Sequence, residues 1–159
     1  MSRAQDLVST LDLQLHPEGG WYREIHRATA NVSPSDGRPD RSALTVIYFL
    51  LERGQFSAWH VVASDECWQY CEGDPLELLM FDAATGQRTS VEVGPVTADR
   101  RSTSVVPPGV WQAAASKGEY TLVQCAVGPG FDFADFAMLR DSAERKQMES
   151  RLADWTKYV

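Results

Sequence analysis

Leu44-Thr45-Val46-Ile47-Tyr48-Phe49-Leu50-Leu51, then Gly54, then Phe56-Ser57-Ala58-Trp59-His60-Val61-Val62, then Ser64-Asp65-Glu66-Cys67-Trp68-Gln69-Tyr70 is the stretch that decides the fold. The first run is rich in β-branched and aromatic residues and reads as a buried strand. Gly54 marks a turn, Phe56 to Val62 a second strand, and Cys67 to Tyr70 a third. Toward the C-terminus the pattern repeats. Strands are expected at Leu76 to Asp82, Thr89 to Val93, Thr103 to Val106, Trp111 to Ala115 and Tyr120 to Val127. They are separated by Gly73-Asp74-Pro75, a hairpin over Ala83 to Arg88, Pro107-Pro108-Gly109 and Lys117-Gly118-Glu119. Toward the N-terminus, Trp21 to Arg27 reads as a strand and Asn31 to Arg41 as a mobile loop. The first dozen residues form a short helix with Leu7, Val8 and Leu11 on one face and Asp6 near its start. Asp141 to Tyr158 is highly charged, with Met148, Leu152 and Trp155 at helical spacing, and predicts an amphipathic helix packed outside. Short strands at roughly 8–12-residue spacing mean an all-β antiparallel sandwich or barrel.

The 159 residues suit one domain, and 43% hydrophobic with 23% charged residues excludes a disordered chain. Fifteen basic against twenty-two acidic side chains give a net charge of −7. That charge argues against nucleic-acid binding and against an anionic membrane surface. No apolar run approaches the roughly 20 residues that span a bilayer. The opening Met1-Ser2-Arg3-Ala4-Gln5-Asp6 lacks the apolar stretch of a secretory signal. Cys67, Cys71 and Cys125 do not read as a disulfide framework, so a reducing, cytoplasmic setting is expected. No zinc-finger spacing, dinucleotide fingerprint, phosphate loop or Gly-X-Ser-X-Gly elbow appears.

Strand alternation puts Ala58, His60 and Val62 on one face and Trp59 and Val61 on the other; Glu66, Trp68 and Tyr70 share a face of the next strand. If His60 and Glu66 both point inward, they face each other across one hairpin, as a general acid/base pair, as metal ligands, or as a plain hydrogen-bonded pair. Here the chain resembles a family. Gly54, five residues, His60, one residue, Val62, three residues, Glu66, six residues, Gly73 is similar to the first motif of the cupin superfamily. That motif carries two histidines and a glutamate as metal ligands. His60 and Glu66 stand at two of those positions, and Val62 stands where the second histidine belongs. Pro107-Pro108-Gly109 resembles the second motif, with Gln112 in place of its histidine and Arg101 in place of its leading glycine. A longer likeness runs from about Leu11 to Met138. It includes His16-Pro17-Glu18-Gly19-Gly20-Trp21-Tyr22-Arg23-Glu24, Ser64-Asp65-Glu66-Cys67-Trp68, Val106-Pro107-Pro108-Gly109-Val110-Trp111-Gln112-Ala113 and Val127-Gly128-Pro129-Gly130-Phe131-Asp132-Phe133. It is to one cupin subfamily, cupin type 5 or DUF985, a domain of unknown function.

The resemblance implies a double-stranded β-helix, the jelly-roll cupin barrel, with its core at residues 11–138, a short N-terminal helix and a C-terminal amphipathic helix at 141–158. Residues 1–159 then form a single cupin domain, paired into a homodimer. A metal, if bound, would sit on His60, Glu66 and Gln112. Valine cannot donate and a glutamine oxygen is a weak ligand, so no cofactor is predicted, with a divalent metal as the lesser alternative. Some metal-free sugar epimerases share this fold and use a histidine base with a tyrosine acid. By that likeness His60 is the base, and Tyr48, Tyr70 or Tyr22 the proton donor.

The expected catalytic residues are His60, Glu66 and Tyr48. Arg23, Glu18, Trp68, Gln112 and Phe131 are expected to bind substrate. Arg23 is placed inward because Trp21, Arg23 and Ile25 share a face; Gly19-Gly20 reads as a tight bend beside Glu18. Phe133, Cys67 and Cys125 read as core. His26 offers a further imidazole without a stated position. The function expected is a cupin binding a small molecule, with metal-independent isomerase or epimerase chemistry by proton transfer in the cavity. The alternatives are a non-catalytic metabolite-binding module, and a metal-dependent oxygenase or isomerase using His60, Glu66 and Gln112. Whether the chain is an enzyme stays open at this level, and the substrate is not readable.

Overall fold

The computed structural model describes residues 2–159; Met1, part of the opening hexapeptide read above, lies outside them. Helix α1 (Arg3–Thr10) is followed by β1 (Gln14–Leu15), β2 (Trp21–Arg27), β3 (Asn31–Val32), β4 (Arg41–Ser42), β5 (Thr45–Glu52), β6 (Phe56–Val62) and β7 (Asp65–Gly73). Then come β8 (Leu76–Phe81), β9 (Arg88–Val93), β10 (Thr103–Val106), β11 (Trp111–Ser116), β12 (Tyr120–Gly128), β13 (Phe136–Met138) and helix α2 (Arg145–Leu152). Two antiparallel sheets face each other, one ordered β1-β2-β5-β12-β7-β10 and the other β13-β6-β11-β8-β9, with β3-β4 as a separate ribbon. This is the expected jelly-roll.

The unbroken apolar run of β5 follows from burial on both faces. Phe49 and Leu51 enter the core between the sheets beside Trp68, Leu76, Leu78 and Val123. Leu50 points the other way and packs with Ala4, Leu7 and Leu13 under α1. Ser2 caps α1 in a capping box with Gln5, which accounts for the helix starting there. Behind the second sheet, Trp59, Leu79 and Phe81 are covered by Leu139, Met148, Leu152 and Tyr158.

The structure corrects the reading at four places. Strands β6 and β7 belong to opposite sheets, so His60 and Glu66 meet across the interior and not across one hairpin. The C-terminal segment is not one helix. It is α2 flanked by 3₁₀ turns at Leu139–Asp141 and Ala153–Tyr158, broken at Ala153 with φ 54° and ψ −120°. The loop at 31–41 contains β3 and the start of β4. Its arginines are tied down: Arg41 grips Asp135 through two hydrogen bonds of 2.8 Å, and Arg38 reaches the same carboxylate at 2.8 Å. Phe133 is not core; it is 55% exposed.

Candidate active site

A cavity of about 340 Å³ opens between the sheets at the end where β2, β5, β6, β12 and the 131–136 segment converge. Polar and apolar side chains both line it. Thr45, Ile47 and Phe49 of β5 line it together with Val62, Val127, Phe131, Phe133 and Phe136. His16, Glu18, His60 and Glu66 supply the chemistry.

The turn at 16–20 delivers two of these. His16 N–H donates to the Gly20 carbonyl at 3.0 Å, and Gly19 N–H donates to the His16 carbonyl at 3.0 Å. Gly19 has φ +107°, and a Cβ there would lie 2.2 Å from the Phe56 carbonyl oxygen, so only glycine lets this turn lie against β6. With the turn docked, the Glu18 carbonyl accepts from Ala58 N–H at 2.8 Å, and its side chain enters the cavity floor.

Glu18 Oε1 accepts from the Ser57 hydroxyl at 2.8 Å, and Oε2 lies 3.3 Å from His60 Nε2. His60 is fully buried, and its Nδ1 is 2.8 Å from the Ala58 carbonyl. A carbonyl only accepts, so Nδ1 carries the proton and the neutral ring turns the lone pair of Nε2 toward Glu18. Burial pushes the Glu18 carboxyl up to about 8, against the Ser57 hydrogen bond. Burial also holds His60 below its ordinary value, opposed by the charge of Glu66 and the Ala58 carbonyl. At neutral pH the pair is therefore a carboxylic acid facing a free imidazole nitrogen. His16, whose Nδ1 accepts from Glu18 N–H at 3.2 Å, is forced down to about 3 by burial and by His60.

Glu66 faces this pair from the opposite sheet. Gln112 Nε2 donates to its Oε2 at 2.6 Å, and Gln112 Oε1 accepts from Trp68 Nε1 at 2.8 Å. Burial lifts Glu66 to about 7, with His60 pulling down and Glu18 pushing up. Gln112 and Trp68 are thus a buried support behind Glu66 and are not part of the cavity lining.

Besides Trp68 and Gln112, which were expected to bind substrate, two more expected residues are outside. Tyr48 alternates out of phase with Ile47 and Phe49 and packs toward α1. Arg23 is exposed and pairs with Asp12. Its neighbours Tyr22 and Glu24 face the cavity, so the inward face of β2 is the reverse of the one assigned. A bulge at Ile25 then shifts the register: Glu24 pairs with Ile47, but His26 pairs with Val46 and Arg27 with Thr45. The extra residue brings Arg27 back to the cavity side and leaves His26 exposed. Tyr70 is also outside the lining; its hydroxyl donates to the Gly73 carbonyl at 2.7 Å. Tyr22 is the tyrosine at the cavity. His60, Glu66, Glu18 and Phe131 are brought together as expected. Of the three tyrosines named as proton donor it is therefore Tyr22 that the fold brings here, while His16, Ser57 and Arg27 were not among the expected site residues. His16 had a signal in its place beside Pro17-Glu18-Gly19-Gly20; the others had none without the register.

A family model described as "Cupin superfamily (DUF985)" matches residues 5–139. The chain belongs to the DUF985 cupins. Among solved structures, this cupin is similar to a hypothetical protein from Leishmania major, with TM-score 0.85 and 30% identity over 99% of this chain and 97% of that one. It is also similar to a protein from Shewanella oneidensis, with TM-score 0.80 and 32% identity over 99% and 92%. Oxalate decarboxylase from Bacillus subtilis shares the fold at TM-score 0.59 and 14% identity, over 90% of this chain and 35% of that one. No curated protein matches.

Cupins imply a metal centre, and the residues of this cupin do not fit one. Val62 offers no lone pair. Gln112 sits behind Glu66 with its oxygen on Trp68 and its nitrogen on Glu66. Burial holds the neighbouring Cys125 thiol well above its ordinary value, far from thiolate. Among the described residues, no group of three or more His, Cys, Asp or Glu is arranged to hold a metal ion.

Proposed function

We propose that this cupin binds a small organic molecule in the cavity and isomerises it by proton transfer between Glu18 and His60. The observation that carries this reading is the 3.3 Å approach of Glu18 Oε2 to the unprotonated Nε2 of His60 within a lined hollow. A substrate seated over the pair meets a donor and an acceptor side by side. Glu18 gives its proton to one substrate atom while His60 takes a proton from another, so the substrate keeps its proton count. The enzyme is left with a carboxylate and an imidazolium, and one proton passing from His60 to Glu18 restores it. Glu66 steadies the transient imidazolium from across the barrel.

The test is solvent deuterium exchange into a panel of small hydroxy-carbonyl compounds. Incorporation by the wild type that is lost in both His60→Ala and Glu18→Gln is the expected result. Tight binding with no exchange and no product would leave a binding module in its place.

The working form is a homodimer. Ile25 of β2, at 41% exposure, and Leu44, just before β5, at 39%, are exposed apolar side chains that support this reading. Sedimentation at micromolar concentration is expected to give the dimer; a lone monomer would remove it. The three free cysteines suit a reducing, cytoplasmic setting. Among the described residues, no helix is long and apolar enough to cross a membrane.

A further inference from the structure

The charge of the ligand can be read from the cavity wall. Four carboxyl groups line it, Glu18, Glu24, Glu66 and Asp132, against one guanidinium, Arg27. Arg27 is already matched. Its Nε and Nη2 hold Glu24 at 2.9 and 2.8 Å, and Nη2 also donates to the Phe131 carbonyl at 3.1 Å. Neither histidine supplies a positive charge at neutral pH, since burial keeps both rings unprotonated. An anion in this hollow would find no unmatched cation to balance it.

Glu66 has room for a cation. It is 7% exposed and reaches the cavity; Oε2 takes the Gln112 amide, and the only other donor to the carboxyl among the described residues is the weak Cys125 thiol. An ammonium group supplies stronger donors and the opposite charge. Three phenyl rings line the same cavity. Phe131, Phe133 and Phe136 pack edge to face with centroids 5.0 to 5.9 Å apart, an apolar wall whose remaining ring faces attract a positive charge.

Resting on the reading of this cavity as a ligand site, we infer that its ligand is a small organic amine, bound as the ammonium ion. Its nitrogen sits on Glu66 and its apolar body lies along Phe131, Phe133 and Phe136. Glu18 and His60 are then free to act on the rest of the molecule. Binding is coupled to ionisation of Glu66. The titratable groups facing that carboxyl are His60 from β6, Glu18 from the turn before β2, Cys125 from β12 and Cys67 from its own strand. A bound cation outweighs the burial that holds Glu66 protonated, so one proton leaves as the amine enters.

The experiment is calorimetric titration of the full chain with benzylamine, benzyl alcohol and phenylacetate. These share a ring and differ in charge. Benzylamine is expected to bind at least about tenfold tighter than the other two. Its affinity should rise between about pH 6 and about pH 8, with proton release seen as a buffer-dependent heat. Glu66→Gln should abolish the preference while benzyl alcohol still binds, which shows that the variant is folded. Phenylacetate or benzyl alcohol binding as well as benzylamine overturns the amine assignment and leaves the cavity a ligand site. A benzylamine preference that survives Glu66→Gln overturns Glu66 as the anchor. No binding of any of the three overturns both this inference and the function proposed above.

Discussion

Glu18 is a buried acid whose carboxyl lies near 8, so its ionisation opposes folding as the pH rises. In the unfolded chain it ionises near its ordinary 4.5; in the native state it resists until about 8. The stability it contributes is therefore full below about pH 4.5 and is lost through pH 8. Glu66, lifted to about 7, has the same sign. His16, forced down to about 3, has the opposite one: its contribution is present above its ordinary 6.5 and is lost as pH falls toward 3. Urea midpoints against pH should show an optimum between these limbs, and Glu18→Gln should flatten the alkaline limb alone. Deuterium exchange should likewise fall above pH 8 as Glu18 loses the proton it must give. Gln112→Leu leaves Trp68 Nε1 and Glu66 Oε2 without partners in a buried place. It should destabilise by about 1–3 kcal/mol per orphaned group, read from urea unfolding.

At the scale of single elements, two irregularities decide what faces what. The bulge at Ile25 puts Glu24 and Arg27 on the same side of β2 although they are three residues apart. A strict two-residue period cannot anticipate this, because the extra residue resets the phase. The break at Ala153 is the second. An alanine at φ 54°, ψ −120° is in a region that glycine occupies without strain. Ala153→Gly should therefore raise stability by about 1 kcal/mol, seen as a rise in melting temperature. In the unbroken helix that the spacing of Met148, Leu152 and Trp155 suggests, the same change would cost about 1 kcal/mol, so the sign separates the two.

Across the whole molecule, one barrel wall serves two purposes. His60 and Trp59 are neighbours on β6, yet His60 lines the cavity while Trp59 faces the C-terminal cover. Leu152 is fully buried in that cover. Leu152→Ala should cost about 2–5 kcal/mol by denaturant titration and leave benzylamine affinity unchanged at a temperature where the variant is folded. A parallel loss of affinity would mean that the cover and the cavity are not independent. The arginine clamps of Arg38 and Arg41 on Asp135 act on a third region, holding the 31–41 loop against the segment that carries Phe131, Phe133 and Phe136.

The sequence alone determined the longer strands and the strand faces that carry His60 and Glu66, because these rest on local period and on turns that Gly and Pro impose; that both faces turn inward was left to the structure. It also marked Glu18 beside its double glycine. Tertiary structure decided the partners. Strand alternation places a side chain on a face but does not say which sheet lies opposite. Only the packing of the 16–20 turn against β6 sets Glu18 over His60 and puts His16 beside them. The same limit explains Arg23 and Tyr48: each lies on a consistent face of its strand, and the choice of which face becomes interior belongs to the sheet, to α1 covering one side of it, and to one bulged residue.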